Sequence, residues 1–114
     1  MLQLAMDLIK YDDFAKVDFR VGQIVEVNKV ENSDKLLKMK VDLGELGEKT
    51  VFSGIYKWYK PEDLLDKKTV FVVNVEPKRV MGELSEAMIF AAGDGETTSV
   101  LWLDKDVING TKVF

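Results

Sequence analysis

The chain contains no cysteine and no histidine. The first absence excludes disulfides, thiolate zinc sites and cysteine nucleophiles. The second removes Ser-His-Asp and Cys-His catalysis, histidine metal sites and the usual general base near neutral pH. No apolar run stands out as a membrane span. Met1 to Ile9 is apolar but carries Asp7 and is closed by Lys10, and nine residues cannot cross a bilayer or supply a basic secretory leader. Positive charge is in deficit too, with 16 Lys plus Arg against 20 Asp plus Glu, a formal net charge of -4. That total opposes encounter with nucleic acid or an anionic membrane. At contact, however, only the field within a Debye length, roughly 8–10 Å, is felt, so the placement of the cations decides. What remains is 114 residues, 46% hydrophobic, enough for one compact core and one domain over residues 1–114. A cytoplasmic binding protein without cofactor or metal is the expectation.

At helical spacing Leu4, Ala5, Leu8 and Ile9 share one face, which predicts either a short helix packed on its own domain or an arm packed on a second copy. From Val17 the texture turns to β. Residues 19–30 are rich in β-branched types, with Gly22 marking a bulge or bend in a long first strand. After the turn cluster Asn32-Ser33-Asp34, apolar Leu37, Met39, Val41 and Leu43 alternate with Lys38, Lys40 and Asp42. This period of two predicts a strand with one buried and one wet, mostly basic face. Thr50 to Gly54 forms a third strand, and Pro61-Glu62-Asp63-Leu64-Leu65 a short helix, with proline and acids suited to a first turn. Thr69 to Val75 is almost continuously apolar, as a strand buried on both faces would be. Ala87 to Ala92 and Ser99 to Leu103 complete the strands across a turn at Gly93 to Glu96, and Asn109-Gly110-Thr111 reads as an Asn-Gly turn. Three strands, a short helix and further strands is the order of an all-β, five-stranded OB-fold, a Greek-key barrel, here with N-terminal (1–12) and C-terminal (about 99–114) extensions.

Candidate catalytic groups are weak. Ser53 lies outside G-x-S-x-G, and Gly93-Asp94-Gly95 has Thr98 where a dinucleotide loop needs its third glycine. The acid pairs Asp12-Asp13, Glu62-Asp63 and Asp104/Asp106 suit helix starts and turns. The cations, by contrast, gather. Asp34 to Lys40 holds three lysines and one acid, Ser53 to Lys60 two lysines and three aromatics with no acid, and Asn74 to Gly82 a Lys78-Arg79 pair. Cations beside flat and amide side chains are what single-stranded nucleic acid requires. Each segment alone reads more simply as a solvated face or a barrel rim; all three on one barrel face would change that.

These residues resemble a known family. Val17-Asp18-Phe19-Arg20-Val21-Gly22-Gln23-Ile24 is similar to the opening strand of the tRNA-binding domain family, and Val30 to Leu37 to its following turn. Val51-Phe52-Ser53-Gly54-Ile55, Tyr59 to Leu64, Val73 to Arg79, and Ser85-Glu86-Ala87-Met88-Ile89 match its later motifs in order, from about Asp13 to Phe114. The family includes the C-terminal module or β subunit of methionyl-tRNA synthetases, stand-alone structure-specific tRNA-binding proteins, and a secretion-associated chaperone. The resemblance implies a non-catalytic OB module that docks on folded tRNA by shape and phosphate contacts and assists a methionyl-tRNA synthetase catalytic subunit. By matching positions, the contacts would come from Lys35, Ser53, Ile55, Lys57, Asn74, Lys78, Arg79, Ser85 and Met88. Of these, Lys35, Lys57, Lys78 and Arg79 would hold phosphates, Asn74 and Ser85 hydrogen-bond, and Met88 give a soft apolar contact. It further implies a homodimer paired through elements outside the barrel, suiting the N-terminal arm and the segment from Ser99. The chain departs from the family at Ala87 (commonly Gly), Val75 (commonly Leu), the acids Glu76 and Glu83, and Val30-Glu31, where many relatives carry His. Two alternatives stay open: a peptide-binding chaperone on the same fold, and a dimerisation appendix of a synthetase.

Overall fold

The computed structural model describes residues 6–114. Its backbone is a long first strand, β1 (Phe19–Lys29), shared by two sheets' worth of neighbours. The first half, Phe19 to Gln23, pairs antiparallel with β4 (Lys68–Val72), and the second half, Gln23 to Lys29, pairs with β2 (Leu37–Asp42). β2 in turn pairs with β3 (Glu48–Ser53), and β4 with β7 (Met88–Ile89), giving the order β3-β2-β1-β4-β7. The curve closes where the chain before β7 meets β3. There Glu86 N–H donates to Thr50 O at 2.7 Å, Thr50 N–H to the Glu86 carboxylate at 2.9 Å, and Phe52 N–H to Ser85 Oγ at 3.0 Å. The result is a nearly closed five-stranded antiparallel barrel with α2 (Pro61–Leu64) between β3 and β4, as the OB order requires.

The alternation seen in the sequence puts Leu37, Met39 and Val41 of β2 inside, against Ile24 and Val27 of β1, Val51 of β3 and Phe71 of β4. Leu64 of α2 closes one end of this core and Ile55 joins it from the loop after β3. At about 25 cal/mol per Å² of apolar surface removed from water, each such side chain contributes roughly 1.5–3 kcal/mol. Gly22 is buried where an added Cβ would lie 2.5 Å from Val41 Cγ1 and 2.8 Å from Phe71 Cδ1. It is therefore a close-packing glycine; the register shift of β1 falls instead between Ile24 and Glu26, three residues on.

The acids Asp12, Asp13, Glu62 and Asp63 do occupy first turns of helices. The N-terminal helix lies later than its periodicity predicts. Met6 to Ile9 carry no helix, α1 spans Tyr11–Ala15, and Leu4 and Ala5 lie outside the described residues. β4 stops at Val72, and only Thr69 and Phe71 face the core, so it is buried on one face rather than two. Thr69 tolerates full burial because its hydroxyl donates to Leu101 O at 2.6 Å. Ala87 to Ala92 is broken at Phe90 into β7 and β8 (Ala91–Gly93), the latter pairing with β9 (Thr98–Val100). Between β4 and β7 stands a hairpin that has no sequence counterpart above, β5 (Lys78–Val80) with β6 (Glu83–Ser85). The chain's end lies along the free edge of β1: Val21 N–H donates to Thr111 O, Gly110 N–H to Val21 O and Val113 N–H to Phe19 O, at 2.9, 2.7 and 2.8 Å. Among the described residues no helix is long and apolar enough to cross a membrane.

Candidate nucleic-acid interface

The β5–β6 hairpin stands beside the end of β3, and the gap between them is a groove of about 620 Å³. Phe52, Ser53 and Gly54 form one wall, Lys78, Arg79 and Val80 the other, and Ser85, Ala87, Met88 and Ile89 line the rest. The hairpin turns through Met81 and Gly82, both at positive φ (49° and 86°), which projects the Lys78-Arg79 pair from the barrel wall. Among the described residues neither cation is paired with a carboxylate. Arg79 makes one weak bond, Nη1 to Gly82 O at 3.3 Å. The acids that would cancel this field are largely engaged elsewhere. Glu83 is held by Lys38 Nζ at 2.6 Å, and Glu86 by the Thr50 amide. Glu76 alone among them lines the groove, so two cations face one acid there.

Of the residues predicted to touch RNA, the structure brings Ser53, Lys78, Arg79, Ser85 and Met88 together on this groove. Met88 is 56% exposed and offers its thioether. Ser85 accepts from Phe52 N–H, and its O–H donates to no partner among the described residues. Ile55 lies outside the groove lining. Its side chain is 5% exposed and belongs to the core, and its carbonyl accepts from Trp58 and Tyr59 N–H at 2.9 and 3.0 Å. Asn74 is exposed and also lies outside the groove lining, next to Val75. Its Oδ1 accepts from Asp18 N–H at 2.8 Å and its Nδ2 donates to Lys16 O at 2.6 Å, fixing the lead-in to β1 away from the groove. Lys35, next to Leu36, and Lys57, three residues after Gly54, lie outside the groove lining. Lys35 is tied there by its carbonyl, which accepts from Tyr56 N–H at 3.1 Å. The apolar lining from Phe52, Val75, Val80 and Ile89 was not among the predicted contacts; only the hairpin brings these residues to one place.

The aromatics of residues 53–60 divide by the same test. Trp58 donates its indole N–H to Glu96 O at 2.8 Å, and the Tyr59 hydroxyl accepts from Val100 N–H at 2.9 Å, so both serve the β8–β9 hairpin. In that hairpin Asp94 accepts from Glu96 and Thr97 N–H at 3.0 and 2.9 Å, and these backbone bonds hold its carboxyl below the usual range. At another place on the barrel rings line up instead: Tyr11, Phe14, Phe19 and Phe90 follow one another at 6.4, 5.7 and 5.3 Å between centroids. Leu8, Ile9 and Phe114 are exposed as well. A second cavity of about 610 Å³ mixes Asp66, Asp104 and Asp106 with Lys67, Lys68 and Lys105, and Lys68 is bound to Asp106 at 2.8 Å. Its charges balance, whereas the hairpin groove holds two cations to one acid.

A family model described as "Putative tRNA binding domain" matches residues 19–112. The chain belongs to this tRNA-binding domain family. It is 48% identical over 108 residues to a methionine–tRNA ligase of Pyrococcus horikoshii, a match covering 95% of this chain and 15% of that one. A methionine–tRNA ligase of Leptospira interrogans is 48% identical over 105 residues, with 92% and 15% covered. The chain thus spans about 15% of the length of the curated relatives it matches. Among solved structures, a MetRS-related protein from Pyrococcus horikoshii superposes with a TM-score of 0.89 at 33% identity, covering 96% of this chain and 100% of that chain. The chaperone CsaA from Bacillus anthracis gives 0.86 at 31% identity, with 95% and 100% covered. The tRNA-binding family is one of non-catalytic modules, and this member is a binding domain related to a part of methionyl-tRNA synthetase.

Proposed function

We propose that the domain binds folded tRNA in the hairpin groove, reading shape and phosphates rather than base sequence, and thereby assists a methionyl-tRNA synthetase. The observation that carries this is the Lys78-Arg79 pair, held on a projecting hairpin without carboxylate partners, in a member of this family. Phosphates would meet the two cations, Ser53 and Ser85 would orient backbone oxygens, and Met88 would pack on a ribose or base. Residues 1–114 act as a single cytoplasmic domain. Two copies pair through the aromatic row of α1 and Phe19, together with the C-terminal segment, giving a dimer with two linked grooves. Linkage raises effective concentration, which offsets the modest affinity of a net acidic protein. The test is a titration against labelled bulk tRNA and a length-matched unstructured RNA at two salt concentrations. Tight binding to tRNA alone, weakened by salt, supports the reading; equal, feeble binding to both sinks it.

A second reading rests on the apolar lining of the same groove, Phe52, Val75, Val80, Met88 and Ile89, and on the likeness to CsaA chaperones. An unfolded peptide would bury its side chains there. Suppression of aggregation of a model protein, without tRNA binding, would favour it.

A further inference from the structure

Tyr56 lies in the loop between β3 and α2, its ring half-buried against the core. Two ammonium groups reach it from different parts of the chain. Lys60 Nζ, at the start of α2, is 4.2 Å from the ring centroid, and Lys29 Nζ, at the end of β1, is 5.5 Å away. Like charges gathered on one ring repel, and ordinarily a carboxylate settles between them. None does so here among the described residues. Of the two acids on α2, Asp63 is engaged by the Lys60 backbone N–H at 2.8 Å, and Glu62 is within salt-bridge distance of neither lysine. The site is therefore a flat ring flanked by two unneutralised cations, and its missing component is an anion.

The patch adjoins the groove. Gly54 and Leu36 line the groove, Tyr56 lies two residues after the first and Lys35 just before the second, and the Tyr56 N–H bond to Lys35 O ties the two loops together. A strand leaving the groove past Gly54 meets this ring next. Lys57 faces elsewhere, over Trp58 at 5.3 Å, and that indole is already engaged with Glu96. Tyr56 is the ring of this segment left for a ligand.

We infer that Lys29, Tyr56 and Lys60 form a second contact for RNA, with one backbone phosphate shared by the two ammonium groups and a base or ribose laid against the Tyr56 ring. The chemistry asks for both parts of a nucleotide: a free anion would satisfy the lysines alone, and a neutral aromatic the ring alone. This inference rests on the tRNA reading above and lengthens its footprint beyond the hairpin.

The experiment measures affinity of the full chain for labelled bulk tRNA across a salt series, with thermal melts of each variant. Lys29→Gln with Lys60→Gln changes only exposed side chains. It should weaken binding about tenfold at low salt and lower the log–log salt slope by about 0.9, the value for one phosphate, without lowering the melting temperature. Tyr56→Leu should weaken binding about fivefold with the slope retained, and Tyr56→Phe should keep wild-type affinity. If the lysine variant binds like wild type while Lys78→Glu with Arg79→Glu is impaired, this inference fails and the groove reading stands. If wild type itself shows no preference for tRNA, both fall together.

Discussion

The chain has two arginines, Arg20 and Arg79, and they have opposite fates. Arg20 sits on β1 with Asp18 two residues before it. Nε donates to the carboxylate at 2.7 Å, Nη2 at 3.3 Å, and Nη1 to Gly110 O at 3.1 Å. The hydrogen bond to Asp18 raises its pKa, outweighing the cost of desolvation. The side chain is three-quarters covered and its bond to Gly110 O fastens the C-terminal segment to the barrel, with its charge matched by Asp18. Arg79 carries the same group on a two-stranded hairpin, exposed, with one weak backbone contact. The difference shows how a net acidic protein can still present a basic site. The cations that hold the fold together are matched by acids within a few ångströms, and those left over are collected where acids have been drawn away, as Glu83 is by Lys38.

The sharpest way to break this comparison is to exchange the consequences. Lys78→Glu with Arg79→Glu should weaken tRNA binding by about a hundredfold at low salt, through lost phosphate contacts and added repulsion. Its melting temperature should stay within a degree or two of wild type, as checked by parallel titration and calorimetry. Arg20→Leu should do the reverse. Loss of charge-assisted bonds, with Asp18 left unpaired, costs about 2 kcal/mol of stability in a denaturant titration. Per-site tRNA affinity should be unchanged. A variant at either position that moved both quantities equally would dissolve the distinction.

A smaller effect probes the scaffold beneath the groove. Because backbone donors depress the Asp94 pKa, its contribution is fully present above the ordinary aspartate value of about 3.9 and is lost as pH falls through the lowered one. Trp58 reports this directly, since its indole N–H is bound to Glu96 O in the same turn. Its fluorescence should therefore change with a midpoint below pH 3.9 or so, and Asp94→Ala should abolish that step while leaving neutral-pH tRNA binding intact. The smallest effect is a gain. Met81 holds φ 49° at the hairpin tip, a conformation that costs a non-glycine residue about 1 kcal/mol. Met81→Gly should recover roughly that amount in a thermal melt.

What the sequence made legible follows the range of the forces involved. β1, β2, β3 and α2 could be placed because alternation, turn residues and Pro61 act within a few positions. The β5–β6 hairpin was missed because three-residue strands carry no period, and Met81 at a left-handed turn position gives no turn signal. Lys78 and Arg79 were recognised by charge and family motif; that they share a groove with Ser53 depends on the hairpin. Asn74 reads locally as a free amide, yet its partners lie 56 and 58 residues earlier. Ile55 lies in the loop after β3, where no period assigns it a face, and it packs into the core.

The most direct test of the groove is the response of the methionine methyl groups to tRNA, observed by NMR on protein labelled at the methionine ε-carbons. The described methionines sample the molecule well: Met88 lines the groove, Met81 tips the hairpin, Met39 is buried in the core and Met6 lies on the N-terminal arm. Addition of tRNA should shift Met88 most, Met81 less, and leave Met39 and Met6 in place. Shifts confined to Met6, with Met88 unmoved, would contradict the account and move the RNA to the aromatic side of the barrel.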